Sequence, residues 1–149
     1  MGNSAFAAVE AENAPAVRAA VAELDPGDGP GTVIGEAKGY RWPYAALLNG
    51  CYAHSLDFDD TNRRQTGHPG APVISAALAE AERTGANGRA FLEALAIGYE
   101  VSCRVGAAVG PTSYDRGFHL TSTSGASVGT CCSTTRAMGS WCSCPTPER

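Results

Sequence analysis

An all-α fold is what this sequence predicts. Apolar residues recur at helical spacing in four separate stretches, and runs rich in Pro and Gly lie between them. The stretches themselves are rich in alanine. The chain has 149 residues, enough for one ordinary domain.

The first helix is expected to open at Asn13-Ala14-Pro15, with Asn13 as its cap and Pro15 in its first turn. Val17, Val21 and Leu24 form its stripe, and the turn-forming run Asp25 to Gly31 ends it. Thr32 to Gly35 reads as a very short extended piece that Gly35 and Gly39 keep from growing. Trp42-Pro43 starts the next helix, with Tyr44, Leu47, Leu48 and Cys51 on one stripe and Phe58 extending it. If that helix reaches Thr61, then His54, Asp57 and Thr61 share a face near its end. Asp59 and Asp60 would then oppose the helix dipole, a conflict suggesting that the acids serve another purpose.

Thr61 to Gly70 reads as a loop, and Pro72 begins a helix whose apolar side is Val73, Ala76, Ala77 and Ala81 and which Thr84-Gly85 ends. Asn87 caps another, with Phe91, Leu95, Tyr99 and Cys103 as its stripe, broken by Gly98. Pro111 to Gly117 is a loop, and the small residues of Thr121 to Gly129 can start a further helix. Residues 131–149 carry four of the six cysteines, two prolines and no helical stripe, and are expected to be a disordered, aberrant tail. Their adjacent and C-x-C cysteines lack the usual zinc spacings.

Composition excludes some functions. The net charge is -4 with no basic stripe, so no nucleic-acid partner is expected. No apolar run approaches the roughly 20 residues needed to span a bilayer, so no membrane is expected either. With no signal-like N-terminus, the expected compartment is cytoplasmic. Chemistry concentrates instead in His54-Ser55-Leu56-Asp57-Phe58-Asp59-Asp60-Thr61, His68-Pro69-Gly70 and Gly117-Phe118-His119-Leu120-Thr121, which hold all three histidines and the densest acidic cluster.

Those three motifs, with Ala45 to Gly50 and Gly98-Tyr99-Glu100-Val101, resemble the MmgE/PrpD family in content and order, over roughly residues 14 to 130. That family includes 2-methylcitrate dehydratase and cis-aconitate decarboxylase. The resemblance implies part of a helical domain over residues 1–130, with the family's second, α/β domain absent. It implies a lyase site for a small polycarboxylate, working without cofactor or metal, in proteins that are homodimers at full length. It assigns Asp57, Thr61, His68 and His119 to that site. The family's later carboxylate-binding lysines have no counterpart, since Lys38 is the only lysine and does not match them. Negligible turnover by this chain alone is therefore expected, and the abrupt change after Thr130 suggests a shifted reading frame.

Each residue has a role that its chemistry allows. His119, or else His68, moves a proton at neutral pH. Asp57 orients a histidine or takes the proton, and Thr61 donates to a substrate oxygen. Arg63 and Arg64 attract the anion, unless they are only solvated. If Thr121 caps a helix, its free N–H groups would face a carboxylate. Plainer roles compete: His54 as a packed or capping residue, His68 as a loop residue, Asp59 and Asp60 as a solvated helix end. His54, Asp57 and Asp60 are also suitable metal ligands by type and spacing, although the resemblance implies no metal. The alternative function is a non-catalytic helical remnant serving as an interaction or structural piece.

Overall fold

The computed structural model describes residues 2–134, and side chains over residues 5–127. Seven helices and no strand occur among the described residues: α1 Gly2–Ala8, α2 Ala14–Leu24, α3 Trp42–His54, α4 Gly70–Thr84, α5 Gly88–Val109, α6 Thr112–Asp115 and α7 Leu120–Thr134. None of the described helices is long and apolar enough to cross a membrane. The expected boundary at residue 130 falls inside α7, and residues 135–149 of the expected tail lie outside the described residues.

Helix α3 is the hub of one half and α4 of the other. Helix α3 packs on α1, α2 and α4, while α4 also meets α5 and α7, which meet each other. Leu48, Tyr52 and Ala45 on α3 are fully buried against Val21 of α2, Ala5 and Ala8 of α1, and Val33. On the far side of α4, Val73 and Ala77 pack against Phe91, Leu95 and Tyr99 of α5, as the stripes predict. Ala71, Ser75 and Ala79 are buried too, so α4 is enclosed on more than one face. Its small residues let neighbours approach closely.

The helix signals act as expected at α4 and α5. Gly85 turns left-handed at φ 62° and returns its N–H to Ala81 and Glu82. Asn87 Oδ1 accepts from the Ala90 N–H at 3.0 Å. Other local expectations fail, among them the loop over Pro111 to Gly117, where α6 forms. Asn13 does not cap α2; its Nδ2 donates instead to Ser55 Oγ at 3.0 Å, a tertiary contact. Residues 32–35 form no strand, and the chain there has only an isolated bridge between Gly31 and Tyr40. Helix α1 escapes the stripe rule because Ala5 and Ala8, its buried residues, are small. Helix α3 stops at His54, so Phe58 leaves the stripe and is 77% exposed.

The segment between α2 and α3 is held by a buried carboxylate. Glu36 accepts from the hydroxyls of Tyr40, at 2.5 Å, and Tyr52, and lies 3.6 Å from Arg18 Nη1. Arg18 also donates to the Val9 carbonyl at 3.0 Å, which joins α1 to α2. Burial and the nearby carboxylate push both phenols up, Tyr40 to about 12. Tyr99 also rises to about 12, through burial and its Asp60 neighbour. A neutral phenol is thus favoured in the folded state. Its stabilising contribution is complete below the ordinary value of 10.0 and is lost as pH rises toward about 12. Melting temperature is therefore expected to fall above about pH 10; a flat profile up to about pH 11.5 would contradict the buried phenols.

Candidate functional site

The site begins where α3 ends. Ser55 Oγ donates to the Cys51 carbonyl at 2.6 Å, and Asp57 then adopts φ 55°. Asp tolerates this left-handed region better than most side chains. The reversal turns Asp57 and Asp59 back toward the last residue of α3. His54 Nδ1 lies 3.0 Å from Asp59 Oδ2 and 3.2 Å from Oδ1. His68 approaches the same two acids, with Nδ1 at 3.3 Å from Asp59 Oδ1 and Nε2 at 3.6 Å from Asp57 Oδ1. The Nδ1 contact is near enough for charge attraction but misaligned, so this buried nitrogen has no hydrogen-bond partner.

Asp59 is therefore the centre of the group, not a solvated helix end: its side chain is fully buried between two imidazoles. Asp60 turns the other way, toward Tyr99 and Gly70. A Cβ on Gly70 would lie 1.9 Å from Asp60 Oδ1, so a larger residue there would force that carboxylate to move. The helical spacing that linked His54 to Asp57 and Asp60 fails because α3 has ended.

All three histidines converge. The rings of His54 and His68 are 4.7 Å apart, and those of His54 and His119 are 6.0 Å apart. His119 is exposed and meets Tyr114 edge-on at 5.3 Å. Helix α7 begins one residue later, at Leu120. Thr121 lies inside its first turn and does not cap it; its Oγ1 accepts from the backbone N–H of His68 at 2.9 Å. The hydroxyl thereby ties the histidine loop to α7.

That loop is held from several sides. Asn62 Oδ1 accepts from the N–H groups of Arg64 and Gln65, both at 3.0 Å. Gln65 is fully buried, and its Nε2 donates to Ser124 Oγ of α7 at 2.6 Å. Tyr114 donates to the Thr66 carbonyl at 2.7 Å. Thr61 and Arg63 are exposed. Arg64 borders a separate hollow of about 130 Å³ with Glu100, Cys103 and Arg104, away from the imidazoles. Of the expected site residues, Asp57, His68 and His119 thus lie in or beside the histidine group, and Arg64 faces elsewhere. Sequence reading missed Asp59 and Gln65; the conflict of two acids with a helix end was the signal for the first.

Beside His54 a cavity of about 570 Å³ opens between α3, α4 and α7, bounded by Leu47, Cys51, Pro72, Thr121 and Ser122. Burial raises the Cys51 thiol above its ordinary value. A second hollow of about 380 Å³, between α4 and α5, is lined by alanines with Glu80 and Glu93 and by no basic side chain. It suits an anion poorly.

Comparison with known proteins agrees with the residue motifs. The family model for the MmgE/PrpD N-terminal domain matches residues 3–140. The chain is also similar to a cis-aconitate decarboxylase-like protein of Aspergillus oryzae, oryM, with 32% identity over 96 residues. That match covers 59% of this chain and 20% of the relative, so the chain spans about a fifth of the curated protein it matches.

Proposed function

The chain belongs to the MmgE/PrpD family, and we propose that it carries the proton-transfer side of a lyase site for a small polycarboxylate such as 2-methylcitrate or cis-aconitate. The observation that carries this reading is the clustering of three imidazoles, two of them against a buried carboxylate, with His54 bordering an open cavity. Dehydration and decarboxylation both need a group that moves a proton and donors that hold carboxylates. His119 is exposed enough to meet a substrate and serves as acid/base. His68 shares or relays the proton, and Asp57 orients it at 3.6 Å. Thr61 donates to a substrate oxygen, and the exposed Arg63 draws the anion toward the face. Activity belongs to a longer, homodimeric protein whose lysines would anchor the carboxylates.

The isolated chain should accordingly bind such acids weakly, with Kd on the order of 1 mM, and turn them over negligibly. Titration with cis-aconitate, followed by the imidazole proton resonances, tests this. Saturating shifts of His68 and His119 are expected, and lost in His119→Ala. Imidazoles unmoved by millimolar cis-aconitate and 2-methylcitrate would overturn the reading. Rapid turnover by the chain alone would overturn the need for cationic anchors. The alternative, a non-catalytic helical remnant, predicts no such response.

A further inference from the structure

We infer that Tyr114 is a positioning residue that holds the His68 loop and His119 in one register, its hydroxyl on the first and its ring on the second. The chemistry it serves rests on the lyase reading above; the two contacts do not. The Tyr114 hydroxyl donates to the Thr66 carbonyl at 2.7 Å, two residues before His68 and 48 residues away in sequence. The Tyr114 ring meets the His119 imidazole edge-on, with centroids 5.3 Å apart. One side chain thus touches the segments that carry both proposed proton-transfer groups.

The residue it grips is strained. Thr66 sits at φ 55°, a left-handed conformation that a β-branched side chain rarely takes. Such strain persists only where the surroundings hold it. From within the loop, the Thr66 N–H donates to the Asn62 carbonyl at 2.8 Å, and the Asn62 N–H donates to the Gly67 carbonyl at 2.9 Å. Tyr114 engages the remaining Thr66 group, its carbonyl, from outside. Tyr114 is itself well placed for this. The Gly117 N–H returns to the Tyr114 carbonyl at 2.9 Å, and Gly117 turns left-handed at φ 80°, which directs the chain to His119. The phenol adds little to the core, being 39% exposed; the buried Ser113 anchors α6 instead. Without the hydroxyl, the Thr66 turn is free to relax and to carry His68 out of register. The fraction of molecules able to bind substrate then falls, and the apparent Kd rises by the same factor.

Two variants of the full chain separate the two contacts by nuclear magnetic resonance, first without ligand. Tyr114→Phe keeps the ring and loses the donor. It should move the Gly67 amide and His68 imidazole resonances and leave those of His119 nearly in place. Tyr114→Leu loses the ring as well and should move His119 too. With cis-aconitate added, the Kd of Tyr114→Phe should rise about threefold to tenfold over the parent chain, the range expected for one neutral hydrogen bond. A merely structural tyrosine would alter the melting temperature and none of these signals. Unmoved Gly67 and His68 resonances or an unchanged Kd in Tyr114→Phe would overturn the inference, as would unmoved His119 resonances in Tyr114→Leu. Failure of the lyase reading looks different: the parent imidazoles would ignore cis-aconitate, while the ligand-free shifts in both variants would still support the bridge.

Discussion

Replacing Gln65 with alanine is expected to cost about 2–4 kcal/mol and to displace the loop that carries His68. The side chain is fully buried, and its amide bonds to Ser124 at 2.6 Å, whose hydroxyl in turn donates to the Leu120 carbonyl at 2.5 Å. Truncation leaves a cavity and removes one of the two partners of a buried hydroxyl. The neighbouring Gly106 gives a sharper check. A Cβ there would lie 2.4 Å from Gln65 Cγ and 3.0 Å from its Cα. Gly106→Ala alone should therefore destabilise by about 1–3 kcal/mol through overpacking. In the Gln65→Ala background much of that clash is gone, so the double variant should be more stable than the sum of the two losses predicts. Denaturant melts of the four proteins measure the coupling. Strict additivity would mean that Gln65 does not sit against α5 as described.

Glu36→Ala should cost a further, independent amount of about 2–4 kcal/mol, because it strands the Tyr40 and Tyr52 hydroxyls at buried positions and removes the anion beside Arg18. Arg18 is partly exposed, so most of the loss comes from the phenols. Glu36→Gln keeps one acceptor and should recover at least half of the loss. The site is separate from the imidazoles, so the histidine resonances should hardly move in Glu36→Gln. Equal melting of Glu36→Ala and the parent chain would refute the buried cluster.

Much of the helical frame is readable from local spacing. Val73 and Ala77 against Phe91, Leu95 and Tyr99 follow a stripe, and Gly85 and Asn87 are punctuation whose physics acts over a few residues. The grouping of Asp57, His68 and His119 comes from motif content, which periodicity alone cannot supply. What escapes are contacts between distant positions. Nothing near Gln65 or Glu36 marks a polar side chain for burial, since Gln65 finds Ser124 59 residues away and Glu36 finds Tyr52 16 residues away. Asp59 is missed for a different reason. Helical spacing assigns faces only while the helix lasts, and the left-handed Asp57 reverses the chain three residues past its end.

The ties from the histidine loop to α7 also set an order of assembly. The bonds His68–Thr121 and Gln65–Ser124 close separations of 53 and 59 residues. The entropy of closing such a loop is of the order of 3–4 kcal/mol, and that cost falls before the contacts that offset it. Helices α3 and α4, by contrast, meet across a short connection. The pair should consequently form early, with the imidazoles still unaligned, and the histidine group should be the last part of the molecule to set. On a ribosome this chemistry would stay dormant until the segment around Ser124 had emerged, a built-in delay between making the helices and arming them.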